Sequence, residues 1–412
     1  MRILHFLNQV KLSPDPRSAP ASGIVRVALE LARIQAREGH EVTVATAGPR
    51  SWKATWEGVT LEELLDRRFA VLRWKGQLWD FRHHAALVEK TWTHRYDVVH
   101  AHNYGYLKYL RAKVKLMHFH SDPLYAEYNF HPWRPQDFDL VLHTADGLLA
   151  VCDYVAQQVA QGIQHRRPVW VVPNGVEMAW YQSDEALSAG TELRGHLGIS
   201  ARATVFLFCG QFEFIKGIGV LAKAFAQLAR TRDDVYLVLA GGTNLWGGGH
   251  EPRSTGDVPD LFLGSEKVKR RVRLLGLVEQ ARMPAVYQAS DVVVIPSLWK
   301  EALSLVALEA AASGKPVIAS NIGGLPEAVT SENGLLVEPG DIRGLVDAMQ
   351  RLVSDIELRR EMGRKGMALA KERSWETTWQ SLKPFYGLAP AVPRHRHEGQ
   401  CAEEFNGISI IR

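Results

Sequence analysis

The chain has 412 residues, of which 46% are hydrophobic and 23% are charged, and its formal net charge is +4. This length exceeds one ordinary hydrophobic core and predicts two or three domains, and the composition is typical of a soluble globular protein. All of the positive excess lies before residue 181, as do most of the 16 histidines. An excess this small does not predict a nucleic-acid partner.

The cysteines and the hydropathy pattern indicate a cellular compartment. Cys152, Cys209 and Cys401 are an odd set without metal-ligand spacing, which favours a reducing cytosol. The first residues lack the long apolar region of a signal peptide, and no stretch approaches about 18 uninterrupted apolar residues. We therefore expect a cytoplasmic protein. The basic N-terminal half also carries several tryptophans, among them Trp52, Trp56, Trp74, Trp79, Trp92 and Trp133. These residues are typical of a solvated basic surface over a core with aromatic side chains, and peripheral contact with the inner membrane face is the alternative.

The N-terminal elements alternate between strand and helix. A strand is predicted at 3–7, a helix at 24–37 after a loop rich in Pro, Ser and Asp, and a second strand at 41–45. This unit is typical of a parallel α/β sheet, and its helix start near Gly23 would offer backbone N–H groups to an anion. The loop lacks G-x-G-x-x-G, which argues against a dehydrogenase.

Polar residues follow later strands of this half, which are predicted at 97–100, 114–119, 147–151 and 169–172. His120 and Asp122 come just past one strand end, and His100 and His102 occupy an equivalent position. Ligands bind at the carboxyl ends of strands in open parallel sheets, so these residues are candidates. A lone histidine, however, is more often structural.

The alternation starts again after the turn signal Pro173-Asn174-Gly175, which predicts a domain boundary. Residues 241–267 are irregular and are predicted to be a functional loop or a partly disordered segment. A last helix is expected from 375 to about 385, and the tail from Leu388 is expected to be unstructured. The other elements of this half are predicted at 205–209, 218–230, 235–240, 272–275, 292–295, 317–319, 334–337, 342–352 and 356–371.

The second half opens with a loop suited to phosphate. Gly210, Gln211, Lys216 and Gly217 lie between a strand end and a helix start. Glycine lets the backbone approach an anion closely, and the lysine and the helix N-terminus supply positive charge. The loop lacks the GK[ST] ending, which argues against a P-loop kinase or ATPase.

Two glutamates stand eight positions apart in the apolar run KEALSLVALEAAASG, residues 300–314. At about 3.6 residues per turn, Glu301 and Glu309 are predicted on one face of one helix. A desolvated carboxylate needs a partner, which a hydroxylated ligand bearing phosphate would supply. On spacing alone, an ordinary first-turn acid and a solvated glutamate are equally acceptable interpretations.

Several motifs of the chain belong together. The second half contains G-x5-KG, PS followed by E-x7-E, and GKPVIASNIGGLPEAVTSENGLLVEPGD; the first half contains GIVRVALELARIQAREGHEVTV, DVVHAH, FHS and PNGVE. Over residues 1 to about 385 they resemble the retaining nucleotide-sugar glycosyltransferases of family four. The resemblance implies the GT-B fold, an α/β arrangement of two doubly wound Rossmann-like domains facing a central cleft. The implied parts are an N-terminal acceptor-side domain at 1–178 and a C-terminal nucleotide-sugar domain at 179–373. They are followed by a helix that packs back on the first domain at 374–387 and by a tail at 388–412.

The same resemblance implies roles for individual residues. Glu309 would bind the ribose hydroxyls of the nucleotide, and Lys216 would pair with the diphosphate. His120 and Glu301 would contact the donor sugar and complete the catalytic set. The implied donor-binding residues are Gly23, Gly210, Gln211, Lys216, Val278, Ser304, Leu305, Val306 and Glu309.

Acceptor-side positions and two departures from the family pattern complete this expectation. Asp122 and His102, which follow or end strands of the first half, are the candidate acceptor-side residues. The family usually has arginine where this chain has Gln211, so one charged contact to the diphosphate is missing, and Arg253 or Lys267 is a candidate to replace it. The segment 301–304 also places a serine where the family has none.

The expected activity is transfer of a sugar from a nucleoside diphosphate sugar to an acceptor hydroxyl with retention, without a metal and without a cofactor. The acceptor class is open among lipid-linked sugars, polysaccharides, glycosides and small polyols. Two alternatives remain: an epimerase or phosphorylase of the same fold, and a weakly active sugar-nucleotide-binding partner subunit.

Overall fold

A computed structural model describes residues 1–7, 10–19, 22–65, 72–74, 77–79, 81–102, 107–124, 135–242 and 266–388. The chain divides into two compact units, and it leaves the first after Pro173 and returns to it at Trp375. The second unit comprises Asn174–Ser374 and the short segment Arg17–Pro20, where Arg17 accepts a backbone hydrogen bond of 3.0 Å from Ala281. No helix of the described ranges is long and apolar enough to cross a bilayer.

The first unit is built on an eight-stranded sheet whose order is β10-β9-β8-β7-β1-β2-β4-β3. All neighbouring strands are parallel except β3 and β4. The helices of this part are α1 (Gly23–Arg37), α2 (Phe81–His94), α3 (Pro135–Thr144) and α4 (Asp153–Gly162). The strands are β1 (Arg2–Leu7), β2 (Glu41–Gly48), β3 (Trp52–Trp56), β4 (Val59–Leu65), β7 (Tyr96–His102), β8 (Ala112–Phe119), β9 (Gly147–Ala150) and β10 (Trp170–Val171), with β5 (Leu72–Trp74) and β6 (Gln77–Trp79) as a separate antiparallel pair.

The hairpin of β3 and β4 was not predicted from the sequence. Its two-residue turn is Glu57-Gly58, with φ of 46° and 83°, and Trp56 pairs with Val59 across it. Such turns need positive φ at both central residues. Glycine at the second position adopts positive φ readily, but glutamate at the first position is not a residue that predicts such a turn. The other six strands of this sheet were predicted from their short apolar runs, as expected for strands covered on both faces.

The second unit contains a six-stranded sheet in which all strands are parallel, in the order β13-β12-β11-β14-β15-β16. One face is covered by the helices Ile218–Thr231 and Ile342–Ser354, and the core on that face includes Phe206, Leu221, Phe225 and Met349. The strands are β11 (Thr204–Gln211), β12 (Val235–Gly242), β13 (Val272–Gly276), β14 (Val292–Ile295), β15 (Val317–Ser320) and β16 (Gly334–Val337). The helices are α5 (Met178–Tyr181), α6 (Asp184–His196), α7 (Ile218–Thr231), α8 (Glu266–Lys269), α9 (Met283–Gln288), α10 (Leu305–Ala312), α11 (Leu325–Ala328), α12 (Ile342–Ser354) and α13 (Ile356–Glu372).

The last helix, α14 (Trp375–Leu382), belongs to the first unit and is followed by a short 3-10 helix, Lys383–Tyr386. Trp379 is fully buried, and its ring meets that of Tyr386 edge-on with centroids 5.0 Å apart. Lys383 pairs with Glu38 at 3.0 Å just past the end of α1. The residues beyond Leu388, where an unstructured tail was predicted, lie outside the described ranges.

One prediction of an element was wrong, and the bounds of another need correction. Glu301 and Glu309 do not share a helix, because α10 begins only at Leu305 and Ser304 caps it by accepting a hydrogen bond from the Ala307 amide at 3.4 Å. The segment predicted to be irregular at 241–267 begins inside β12 and ends inside α8, while 243–265 lies outside the described residues. The first of these differences arises at Ser304. Serine favours the N-cap position, so the helix begins after Ser304 rather than at the start of the run 300–314.

Candidate functional site

Strand order places the candidate site of the second unit. β11 lies between β12 and β14, so the chain leaves β11 toward one side of the sheet and β14 toward the other. At such a switch point the loops after the two strands diverge and leave a crevice at the carboxyl edge of the sheet. The loop with Lys216 follows β11, and the segment from Ser297 to Glu301 follows β14.

Close backbone contacts hold these two loops together. The Leu298 amide donates a hydrogen bond of 2.8 Å to the Ile215 carbonyl. Gly217 has φ of 71°, and a Cβ there would lie 1.8 Å from the Pro296 carbonyl oxygen. Only glycine allows both this conformation and this close approach, so tertiary packing requires the glycine of the KG motif. The two loops therefore bring Lys216 beside Glu301.

Lys216 and Glu301 form the charged centre of the site. The Lys216 Nζ atom lies 2.6 Å from Glu301 Oε1, and the Ser297 hydroxyl donates to the same oxygen at 2.7 Å. Nζ also lies 4.8 Å from the centroid of the Trp299 ring, a cation–π distance. Burial by itself would raise the Glu301 pKa, but the Lys216 charge and the hydrogen bonds from Lys216, Ser297 and Trp299 together hold that pKa below its usual value. Glu301 is therefore an anion that holds the lysine in place.

The backbone of Glu301 is fixed by the double-glycine loop after β15. The Gly324 amide donates to the Glu301 carbonyl at 2.7 Å. Gly323 has φ of 60°, and a Cβ there would lie 2.3 Å from the same oxygen. Asn174 in the PNG motif donates from its side chain to the Leu303 carbonyl at 3.2 Å. The residues before α10 are thus positioned from two directions.

The start of α10 faces the same edge of the sheet, since it follows the end of β14. The predicted residues Ser304, Leu305 and Val306 are half-buried there. The first amides of any helix lack partners within the helix, and its macrodipole adds partial positive charge. This helix start therefore suits an anion.

Glu309 lies one turn further along α10 and is buried. The Tyr287 hydroxyl, from α9, donates to Glu309 Oε2 at 2.6 Å. Burial, and then the charge of Glu309, raise the Tyr287 pKa well above its usual value. Tyr287 therefore stays protonated and holds one carboxylate oxygen of Glu309.

Three more predicted residues end the neighbouring strands. Gln211 is buried at the end of β11, and Gly210 pairs there in register with Gly241. A Cβ at Gly241 would lie 1.8 Å from the Gly210 carbonyl oxygen, so the two backbones touch. Val278 is half-buried just after β13, at the same edge.

Lys267 does not compensate for Gln211. Its Nζ atom contacts Asp233 at 2.9 Å and the Arg230 carbonyl at 3.1 Å. Asp233 precedes the first residue of β12, so this pair lies at the amino edge of the sheet, about 23 Å from Gln211 at about 3.3 Å per residue. Arg253, the other candidate, lies outside the described residues.

In the first unit, the predicted residues end strands of the eight-stranded sheet or begin a helix. Gly23 is the exposed first residue of α1. His102 ends β7 and is buried, and His120 follows β8 and is half-buried. Asp122 is buried, and its carboxylate accepts hydrogen bonds from the Tyr154 hydroxyl and, at 2.9 Å, from the Leu124 amide.

His102 and His120 belong to a larger group that sequence reasoning did not assemble. Parallel register places His5 beside His100 and His102 beside His118, and the members of the group are His5, His100, His102, His118 and His120. Burial lowers the pKa of His5 to about 4 and that of His118 to about 3, and it lowers the other three well below their usual value. All five rings are therefore neutral near pH 7.

Two sets of three imidazoles in this group have the composition of a metal site. In His5, His100 and His102, and again in His102, His118 and His120, one nitrogen from each ring lies within 4.8 Å of the others. Neutral imidazole is a ligand for zinc and similar metals. The two sets share His102, whose Nε2 lies beside His5 and whose Nδ1 lies beside His120.

No role was predicted from the sequence for Tyr287, Ser297, Trp299 or Gly323. Ser297 and Gly323 stand in motifs that were recognised, PS and GG, and their position beside Glu301 was the available signal. Tyr287 lies in the apolar run of α9 without a motif, and only the tertiary packing within the second unit brings it to Glu309.

Two family profiles match the chain. The profile described as Glycosyl transferases group 1 matches residues 191–368, and that described as Glycosyltransferase Family 4 matches residues 21–180. The chain is 33% identical over 331 residues to a D-inositol 3-phosphate glycosyltransferase of Mycolicibacterium vanbaalenii, covering 74% of this chain and 70% of that protein.

Relatives of the same name match over shorter segments. The protein of Corynebacterium jeikeium is 33% identical over 268 residues, which cover 64% of this chain and 62% of the relative. That of Corynebacterium glutamicum is 37% identical over 210 residues, which cover 50% of this chain and 49% of the relative. The chain thus spans 62% and 49% of the length of these two curated relatives.

Solved structures resemble the whole chain at low identity. Sucrose-phosphate synthase of Thermosynechococcus elongatus gives a TM-score of 0.72 at 21% identity, covering 94% of this chain and 98% of the other. HepE of Anabaena, solved in complex with UDP and glucose, gives 0.68 at 21% identity, covering 94% and 99%. At this identity the likeness shows the fold, which is GT-B.

Proposed function

Because the chain belongs to glycosyltransferase family 4 and has the GT-B fold, we propose that it transfers a sugar from a nucleoside diphosphate sugar to an acceptor hydroxyl with retention. The observation that carries this proposal is the Lys216–Glu301 pair, held 2.6 Å apart at the switch point of the second sheet. A cation in this position, next to a helix start, suits a diphosphate.

Each part of the donor has a partner in this proposal. The diphosphate contacts Lys216 and the first amides of α10, while the glycines that end β11 and β12 allow the backbone to approach it. Glu309 accepts hydrogen bonds from the ribose hydroxyls, and Tyr287 orients its carboxylate. Glu301 lies next to the sugar, where it accepts from hydroxyl groups and positions Lys216.

In the proposed reaction the bond between the sugar C1 and the diphosphate oxygen breaks as the bond to the acceptor oxygen forms on the same face. The departing phosphate oxygen takes the proton of the acceptor hydroxyl, so no enzymic nucleophile is needed. Negative charge grows on the diphosphate in the transition state, and Lys216 stabilises it there. The lysine and the helix start supply the positive charge, so the proposed reaction needs neither a metal nor a cofactor.

The acceptor and the nucleotide are proposed only by class. We propose a carbohydrate, lipid-linked sugar or polyol as acceptor, and the name of the relatives makes D-inositol 3-phosphate the first compound to test. UDP sugars are the first donors to test, since HepE was solved with UDP, and GDP sugars follow. The basic first half of the chain suits an anionic acceptor or one held at a membrane surface.

The test is release of nucleotide and binding of donor, with a panel of UDP, GDP and ADP sugars. We expect the wild-type chain to bind and turn over one of these. Glu309→Ala should weaken donor binding at least about tenfold, because it removes a buried charged acceptor. Glu357→Ala is the matched control, since that side chain on α13 is 80% exposed.

Other outcomes would contradict parts of the proposal. If the wild-type chain and Glu309→Ala are equally inert and neither binds any nucleotide, the assignment is wrong. Isomerisation of the donor without acceptor would indicate an epimerase, and cleavage that requires phosphate would indicate a phosphorylase. A product of inverted anomeric configuration, read by NMR coupling constants, would contradict retention.

A further inference from the structure

Two neighbouring central strands of the first sheet carry three buried histidines on one face. His100 and His102 lie on the same face of β7, because side chains alternate along a strand, and parallel register places His5 of β1 beside His100. All three side chains are fully buried. One nitrogen from each ring lies within 4.8 Å of the others. Strand register alone therefore gathers three imidazoles.

Three imidazoles in the middle of a parallel sheet need a physical explanation. Such positions are normally apolar, and a buried polar ring is unfavourable unless its nitrogens have partners. Hydrogen bonds within the histidine group do not supply all of these partners, since His118 Nε2 has none among the described residues. A cation that binds several nitrogens at once is a partner of the right chemistry, and neutral imidazole is the form it binds. Burial lowers the pKa of His5, His100 and His102, which keeps the three rings in that form near pH 7.

His5 directs a lone pair toward its neighbour in this set. Gln35 Oε1, an oxygen that can only accept, lies 2.8 Å from His5 Nε2, so the proton of His5 is on Nε2 and the lone pair is on Nδ1. His5 Nδ1 lies 3.0 Å from His102 Nε2. Tetrahedral zinc with bonds of about 2.0–2.1 Å separates neighbouring nitrogens by about 3.3 Å. This pair would open by about 0.3 Å to bind, and the widest pair of the set would close by at most about 1.5 Å.

The other nitrogens of these two rings are already held from outside the set. Gln35, from α1, holds His5 Nε2, and His102 Nδ1 lies 2.8 Å from His120 Nε2. Histidines that bind a metal almost always have such a partner on the second nitrogen, because it fixes the tautomer and the orientation of the ring. His5 and His102 therefore have the surroundings of metal ligands.

His100 has a partner on each side. Its Nδ1 atom lies 2.6 Å from the Tyr386 hydroxyl oxygen, and its Nε2 atom lies 3.1 Å from His118 Nδ1. Either nitrogen can therefore bind a metal while the other one stays held. His118, next to His100, is the candidate for the fourth ligand that a structural zinc site needs.

We propose that His5, His100 and His102 bind one transition-metal ion, Zn²⁺ in the first instance, which fastens β1 to β7. The ion takes the lone pairs of His5 Nδ1, of His102 Nε2 and of one His100 nitrogen. The proton of His102 Nε2 moves to Nδ1, so no proton has to leave the ring. The site belongs to the first sheet and takes no part in the proposed reaction, so its role is to stabilise the fold.

This set is a better site than the overlapping set of His102, His118 and His120. His5, His100 and His102 all lie within strands, whereas His120 follows the end of β8. Ligands on rigid elements need less ordering when a metal binds. The acceptor oxygen of Gln35, which fixes the lone pair of His5, also serves only the first set.

Metal analysis of the full chain, purified without an affinity tag and dialysed, tests the proposal. We expect the wild-type chain to retain one equivalent of Zn²⁺, or to take it up when Zn²⁺ alone is added to metal-free protein. X-ray absorption at the zinc edge should show at least three imidazole nitrogens at about 2.0 Å and no sulfur. None of these measurements needs a sugar donor, so their outcome is independent of the proposed function.

Substitutions identify the rings that bind. His5→Gln and His100→Gln should abolish retention of the metal, and Gln35→Leu should weaken metal affinity about 10- to 100-fold because it removes the partner that orients His5. His120→Gln should retain the metal, and His196→Gln, at an exposed position, is the surface control. Added Zn²⁺ should raise the Tm of the wild-type chain and leave that of His5→Gln unchanged.

Three results would overturn the inference. The first is a wild-type chain that neither retains nor takes up Zn²⁺. The second is a bound ion with sulfur ligands or with fewer than three imidazoles. The third is a metal that stays in folded His5→Gln and is lost in His120→Gln, which would move the site to the other set. If His5→Gln does not fold, the first two measurements, made on the wild-type chain, decide.

Discussion

Removal of the Lys216 charge should destabilise the second unit in a way that depends on pH. Lys216→Met keeps most of the apolar stem beside Trp299 and deletes the ammonium group 2.6 Å from Glu301. The two side chains are 22% and 14% exposed. Exposed pairs contribute up to about 1 kcal/mol and breaking a buried pair costs about 3–5 kcal/mol, so we expect a loss of about 2 kcal/mol in the free energy of unfolding near pH 7.

The sign of the pH effect follows from the Glu301 carboxylate. Burial raises the folded pKa of Glu301, but the Lys216 charge and the hydrogen bonds to the carboxylate outweigh it and hold that pKa below the usual 4.5. Its stabilisation is therefore present above about pH 4.5 and is lost as the pH falls through the folded pKa. In Lys216→Met, burial acts without the compensating charge and raises that pKa. The difference between wild type and variant should therefore be largest near pH 7 and shrink toward pH 4.

Urea unfolding followed by circular dichroism measures this difference, with Glu301→Gln and the double variant completing a cycle. We expect a coupling free energy of about 2 kcal/mol near pH 7. A coupling below about 0.5 kcal/mol, or a Lys216→Met effect that is equal at pH 7 and pH 4, would refute the electrostatic reasoning. Turnover of the donor should also fall about 100-fold or more in Lys216→Met, as for removal of one group that stabilises transition-state charge.

Three further predictions concern the backbone, the missing arginine and metals. Gly323→Ala should destabilise the protein by about 1–3 kcal/mol and weaken donor binding, because φ is 60° and the new Cβ would lie 2.3 Å from the Glu301 carbonyl oxygen. Gly219→Ala is the control, since a Cβ there meets open space and should not destabilise the protein. Equal effects of the two substitutions on stability would contradict this reasoning. Gln211→Arg should raise turnover about tenfold by adding a charged contact to the diphosphate, and a fall would indicate a pocket adapted to glutamine. Chelation with EDTA should leave turnover unchanged, whereas a loss restored by Mg²⁺ or Mn²⁺ would contradict the proposed role of Lys216.

The order and type of most elements could be predicted from the sequence alone. Continuous apolar runs such as Val292–Ile295 predict buried parallel strands, and helical spacing located α1, α7, α12 and α13 to within about two residues. The G-x5-KG and E-x7-E motifs selected Lys216, Glu301 and Glu309 as candidates. These motifs are spacings between residues close together in the sequence, so they can be recognised without the tertiary structure.

What only the tertiary structure decided is how these residues meet. Eight positions on a continuous helix would have placed Glu301 and Glu309 together, but the Ser304 cap separates them, and each carboxylate takes its partner from another part of the chain: Lys216 after β11 and Tyr287 on α9. The histidines likewise looked like isolated strand-end residues, and the register of three parallel strands made them one network. Contacts between residues far apart in sequence depend on strand order and register, which a local pattern does not contain.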